Sequence, residues 1–127
     1  MVKLITGGAF QGKRAFARER YGFKGDEITD CECLSPDDFS SLKCVYHYHL
    51  FLRRQMKEQA DVLQITKDIA AANPDLIILL DEIGCGIIPM ERFERQWREA
   101  VGRVGCYLAA HAESVERVVC GCGVRIK

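Results

Sequence analysis

Val2-Lys3-Leu4-Ile5-Thr6-Gly7-Gly8-Ala9-Phe10-Gln11-Gly12-Lys13-Arg14 is the stretch that decides how the rest of the chain is read. Its short apolar run stops at two glycines, as a buried strand does on entering a tight turn. Residues 13–20 then favour helix, with Ala15, Phe16 and Ala17 set among charges. Between those two predicted elements, 7–13 fits G-x-x-x-x-G-K. In such a loop Gly7, Gly8, Ala9, Phe10, Gln11 and Gly12 curl backbone N–H groups round a phosphate. The helix that follows aims its positive end at the same place. Lys13, on an exposed helix start, reaches the β- and γ-phosphates as a point charge. Arg14 stands where the pattern has a Ser or Thr whose hydroxyl ligates magnesium. Taken alone, the segment also reads as an ordinary glycine turn.

The second informative run is Leu76-Ile77-Ile78-Leu79-Leu80. A strand polar on neither face must be covered on both, which makes it a central parallel strand. Asp81 and Glu82 follow it. In doubly wound folds, acidic residues at the carboxyl end of such a strand lie beside the phosphate loop. There they bind magnesium through water or orient an attacking hydroxyl. The plainer reading is that any strand needs polar residues where it surfaces.

Between these runs, Ser35-Pro36-Asp37-Asp38 is a strong helix start. Phe39, Leu42, Val45, Tyr46, His49 and Leu50 recur at helical spacing, which predicts one helix over 35–59. A second helix over 61–72 closes at Asn73-Pro74, and a short strand is expected near 27–31. After Pro89 comes a long helix whose buried stripe is Phe93, Trp97, Ala100, Val101, Val104 and Leu108. Strands over 115–120 and 124–127 complete the reading. This alternation implies an α/β layer fold with a mainly parallel sheet and a C-terminal strand pair. At 127 residues it is expected to form one domain, 1–127.

Lys plus Arg and Asp plus Glu are both 18, so the formal net charge is zero. A surface built to grip nucleic-acid backbone or anionic lipid carries a basic excess, so any anion site here must be local. No run approaches the ~20 apolar residues needed to span a bilayer. The opening apolar run is too brief for a signal peptide, so a cytoplasmic protein is expected. Seven cysteines without an export signal read as reduced thiols, with Cys106 and Cys120 expected to be buried. Cys31-x-Cys33 and Cys120-x-Cys122 are spaced more tightly than the usual zinc-ligand pairs.

His47 and His49 are the only histidines upstream of the central strand. On one helix they point about 200° apart, so only one of them would face a given site. His49 shares the Phe39–Leu42–Tyr46–Leu50 side, which is expected to pack inward. His47 lies off that stripe and is the candidate nucleophile, while a purely structural histidine is the other reading. His111, near the end of the long helix, suits the negative end of the helix dipole.

Two stretches carry a family resemblance: Gly7-Gly8-Ala9 before Gly12-Lys13, and Asp81-Glu82-Ile83-Gly84-Cys85-Gly86-Ile87-Ile88-Pro89. So do Trp97 to Arg103, Leu108-Ala109-Ala110 and the closing Val118 to Lys127. Together they resemble the adenosylcobinamide kinase and adenosylcobinamide-phosphate guanylyltransferase family. The resemblance implies a three-layer P-loop fold, cobalamin biosynthesis, and a cytoplasmic homo-oligomer such as a trimer. It implies magnesium with ATP or GTP, and adenosylcobinamide as the second substrate. Members phosphorylate the aminopropanol arm of adenosylcobinamide, then pass GMP from GTP to that phosphate by way of a histidine. Carried over by position, Gly7, Gly8, Gly12 and Lys13 hold phosphates. Glu82, Gly84, Gly86 and Pro89 shape the strand-end loop, with Arg98 and Arg103 on the next helix. The chain departs from the family at Arg14, at Gly105-Cys106, and in a shortened middle that lacks the family's histidine segment. An enzyme is the leading reading; a non-catalytic nucleotide-binding module that retains the fold is the alternative.

Overall fold

The computed structural model of the chain describes residues 1–84 and 89–127. Lys3–Gly7 (β1) runs into a glycine loop and then Lys13–Tyr21 (α1). Ile28–Asp30 (β2) and Cys44–Tyr46 (β3) are short strands, followed by Tyr48–Lys57 (α2) and Val62–Ala72 (α3). Ile77–Asp81 (β4), Arg92–His111 (α4), Ser114–Val119 (β5) and Cys122–Arg125 (β6) complete the order. The strands form one sheet in the order β2-β3-β4-β1-β5-β6. All neighbours are parallel except β6, which turns back antiparallel on β5. The expected α/β sheet with a C-terminal strand pair is the fold observed.

Side chains alternate across the sheet and so divide the core between two faces. Ile5, Ile77 and Leu79 point to the face covered by α1 through Phe16, Ala17 and Tyr21. Leu4, Ile78 and Leu80 point to the other, where Leu52 of α2, Ile69 of α3 and Val104 and Leu108 of α4 close over them. Both faces of β4 are therefore buried, as its unbroken aliphatic run requires. Full burial of each such side chain contributes about 1.5–3 kcal/mol. β4 and β1 thus anchor the layers, and their carboxyl ends emerge together, with Gly7 in register with Asp81.

The predicted helix over 35–59 is replaced by three shorter elements. Pro36–Ser41 is a 3-10 turn, capped by Ser35 and Asp38 as the start signal requires. β3 follows, and α2 begins only at Tyr48. The helical spacing is misleading because β3 is wedged between β2 and β4, with Cys44 and Val45 fully buried on opposite faces. Pairing on both edges outweighs a local preference for helix. Cys106 and Cys120 are also not buried as expected: one lies on the wet side of α4, the other at the β5–β6 turn. Among the described residues Cys31 and Cys44 are the buried thiols, and burial pushes the Cys44 thiol up to about 12. No described helix is long and apolar enough to cross a membrane.

Asn73 holds the turn before β3 against the end of α3. Its buried side-chain amide donates to the carbonyls of Phe39, at 2.9 Å, and Leu42, at 2.7 Å. Asn73→Ala leaves both without that partner and is expected to cost about 1–3 kcal/mol. Urea denaturation checks this, and an unchanged midpoint would contradict it.

Candidate functional site

The loop between β1 and α1 is shaped by close approaches that only glycine allows. A Cβ on Gly7 would lie 2.6 Å from the carbonyl oxygen of Val118 on β5. Gly12 takes a left-handed φ of 87° at the start of α1, a conformation costly for residues with a Cβ. Gln11 ties the loop to the β5–β6 hairpin. Its carbonyl accepts from Gly121 N–H at 2.7 Å, and its side-chain oxygen accepts from Cys120 N–H at 2.7 Å. This latch joins residues more than a hundred positions apart, and no local pattern announces it.

Lys13 is not at an exposed helix start. It is buried, and its ammonium donates to Gly8 O at 2.7 Å and Gly7 O at 3.3 Å. The same nitrogen lies 2.8 Å from Asp81 Oδ1. α1 begins over the end of β4, so a long side chain there turns inward across the strand ends. Asp81 Oδ2 in turn lies 3.5 Å from His49 Nε2. Glu82 is engaged elsewhere: its carboxylate accepts from Arg117 Nε at 3.1 Å, and its N–H donates to Gly7 O at 2.8 Å.

Over these residues opens a cavity of about 710 Å³. Lys13, Arg14, Arg18, His47, His49 and Asp81 supply its charged and titratable lining, with the Ala9–Gly12 backbone and Tyr46 beside them. Gly7, Gly8 and Glu82 lie outside this lining. The Arg14 guanidinium stands 4.4 Å from the centroid of the Tyr46 ring. Phe10, at the loop tip, has a left-handed φ of 61° and is fully exposed.

The histidine geometry corrects the sequence reading. His47 precedes α2 with a left-handed φ of 62°, and His49 lies in the first helical turn. They are therefore not two apart on one regular helix. Their rings are 6.0 Å apart, and both line the cavity. His47 is part-exposed, with Nδ1 3.1 Å from Asp30 Oδ2. His49 is buried and stacks on Trp97, whose indole N–H donates to His49 O at 2.9 Å. Nδ1 of neither His47 nor His49 has a hydrogen-bond partner among the described residues. His111 Nδ1 meets the Tyr107 carbonyl at 2.9 Å, at the end of α4.

Among the described residues, two groupings have the chemistry of metal ligands. Asp81 and Glu82 are adjacent in sequence, but each carboxylate is already matched by a cation. At the ends of β2 and β3, Asp30, Glu32 and His47 each bring one ligand-type atom within 4.8 Å of the others, with both acids exposed. The magnesium implied by the resemblance fits the phosphate loop poorly. Arginine offers no lone pair to a metal, and Asp81 is held by Lys13. Gly86, with Cys85, Ile87 and Ile88, lies outside the described residues.

Strand, glycine loop, lysine-headed helix and acidic strand end make this an α/β protein of the P-loop kind. Residues 39–126 match the family model for cobinamide kinase / cobinamide phosphate guanyltransferase. The chain belongs to that family. It is 41% identical over 76 residues to the bifunctional adenosylcobalamin biosynthesis protein CobU of Escherichia coli (strain K12), covering 58% of this chain and 42% of the relative. The protein of the same name from Salmonella typhimurium (strain LT2) is 44% identical over 52 residues, covering 41% and 29%. The matches thus span less than half the length of these curated relatives.

Burial is the main cause holding the His49 imidazole below its ordinary value. His47 and Lys13 add to that effect, while Asp81 opposes it. The unfolded chain therefore takes up this proton more readily than the folded one. The group's contribution to stability is complete above the unfolded value, about pH 6.5, and is lost as pH falls through the lower folded value. His49→Gln is expected to lose less stability than the wild type on acidification through that range. Denaturation midpoints across pH check it, and parallel curves for the two proteins would contradict it.

Proposed function

We propose that the chain is a nucleotide-dependent transferase of cobalamin biosynthesis. It binds a nucleoside triphosphate at residues 7–14 and passes a phosphoryl or guanylyl group to an adenosylcobinamide acceptor. The observation that carries this reading is the convergence of Lys13, Arg14, Arg18, His47 and His49 on one cavity. Family membership supplies the acceptor.

In the phosphoryl step the acceptor hydroxyl oxygen bonds to the γ-phosphorus. The bond from that phosphorus to the β,γ-bridging oxygen breaks, and the hydroxyl proton passes to water. Lys13, released from the loop carbonyls and Asp81, meets the charge on the departing diphosphate. In the guanylyl step a histidine nitrogen bonds to the α-phosphorus and pyrophosphate leaves. An acceptor phosphate oxygen then takes the GMP and frees the histidine. His47 is the candidate carrier, because it is the more exposed of the two rings, with Asp30 Oδ2 3.1 Å from its Nδ1.

The direct test follows triphosphate consumption with and without adenosylcobinamide. Consumption that depends on the corrinoid is expected; its absence for both ATP and GTP would overturn the proposal. Lys13→Ala is expected to weaken triphosphate binding at least about tenfold. It should also cost about 1–3 kcal/mol of stability, because Asp81 and two loop carbonyls lose their buried partner. Equal affinity by calorimetry would count against the loop as the phosphate site.

The carrier step is tested separately with α-labelled GTP. An acid-labile adduct mapping to His47, absent in His47→Ala and kept in His49→Ala, is expected. The reverse pattern would transfer the role to His49.

A further inference from the structure

The first turns of α1 present to the cavity two guanidinium groups that no described carboxylate pairs with. Arg14 and Arg18 stand one helical turn apart, both exposed and both lining the cavity. Among the described residues no carboxylate forms an ion pair with either. Arg14 lies over the Tyr46 ring, 4.4 Å from its centroid, a contact that uses none of its N–H donors. A guanidinium without a carboxylate partner beside a glycine loop is suited to two parallel hydrogen bonds with phosphate oxygens.

The carboxylates nearest the loop are committed in the opposite sense. Asp81 is paired with Lys13 and faces His49, and Glu82 is paired with Arg117 outside the cavity lining. Position 14 offers donors in place of a hydroxyl lone pair. The cavity lining therefore has cations to spare, and the carboxylate within it, Asp81, is already held by Lys13 rather than free for a hard divalent cation.

Building on the triphosphate reading above, we infer that this site binds the polyphosphate without a divalent cation. Arg14 and Arg18 neutralise the phosphate charge that magnesium neutralises in sites with a hydroxyl at this position. Magnesium and the two guanidiniums then compete for the same phosphate oxygens.

Calorimetric titration of the whole chain with GTP, in EDTA and in excess magnesium chloride, tests this. Binding in EDTA as tight as in magnesium, or tighter, is expected. Arg14→Ala should weaken the EDTA affinity about tenfold or more. Arg18→Ala should weaken it in the same direction. Arg14→Ser should bind poorly in EDTA and recover in magnesium, because it restores the hydroxyl. Arg14 and Arg18 are exposed, so these variants are expected to keep the fold, as circular dichroism checks. Wild-type binding that vanishes in EDTA and returns with magnesium overturns this inference alone. No binding in either buffer overturns both the inference and the triphosphate reading beneath it. Arg14→Ala and Arg18→Ala both binding like wild type in EDTA would also overturn the assignment.

Discussion

The site depends on one buried ammonium group. Lys13 Nζ is held by two loop carbonyls and the Asp81 carboxylate, and these partners make its burial tolerable. The contacts join the end of β1, the glycine loop, the start of α1 and the end of β4. They also set where Asp81 points, and so what faces His49. A ligand that drew Lys13 away would leave Asp81 with His49 as its remaining partner. Displacement of Lys13 and the state of the histidine are thereby coupled through a single carboxylate.

Around that centre the fold supplies walls from distant parts of the chain. The β5–β6 hairpin braces the loop through Gln11 on one side. On the other, Trp97 of α4 braces His49 by stacking and by a hydrogen bond to its carbonyl. Tyr46, at the end of β3, carries the Arg14 guanidinium. The short β3 therefore matters out of proportion to its length. It carries Tyr46 and hands the chain to His47 in a left-handed conformation, which lets both histidine rings reach one cavity.

Much of this is legible in the sequence, and the remainder is hidden for identifiable reasons. β1, the glycine loop and α1 announce themselves locally, by an apolar run, paired glycines and a helix-favouring stretch. β4 is legible because five aliphatic residues in a row admit few alternatives. β3 is hidden because three residues carry no period of their own, and Val45 and Tyr46 fit a helical stripe by coincidence. Reading them as helix sends the two histidines to opposite sides. The burial of Lys13 is hidden too, since lysine at a helix start normally faces water. The strand end beneath it, which decides the matter, lies some seventy residues away. The identity of the phosphate-loop residues is local information; what each one touches is not.

A crystal structure with a non-hydrolysable GTP analogue is the decisive measurement. Phosphates are expected inside the cavity, cradled by the 8–13 backbone, with Lys13 Nζ moved from Asp81 to a phosphate oxygen. Nucleotide bound elsewhere, or phosphates in the cavity with Lys13 still paired to Asp81, would contradict that expectation.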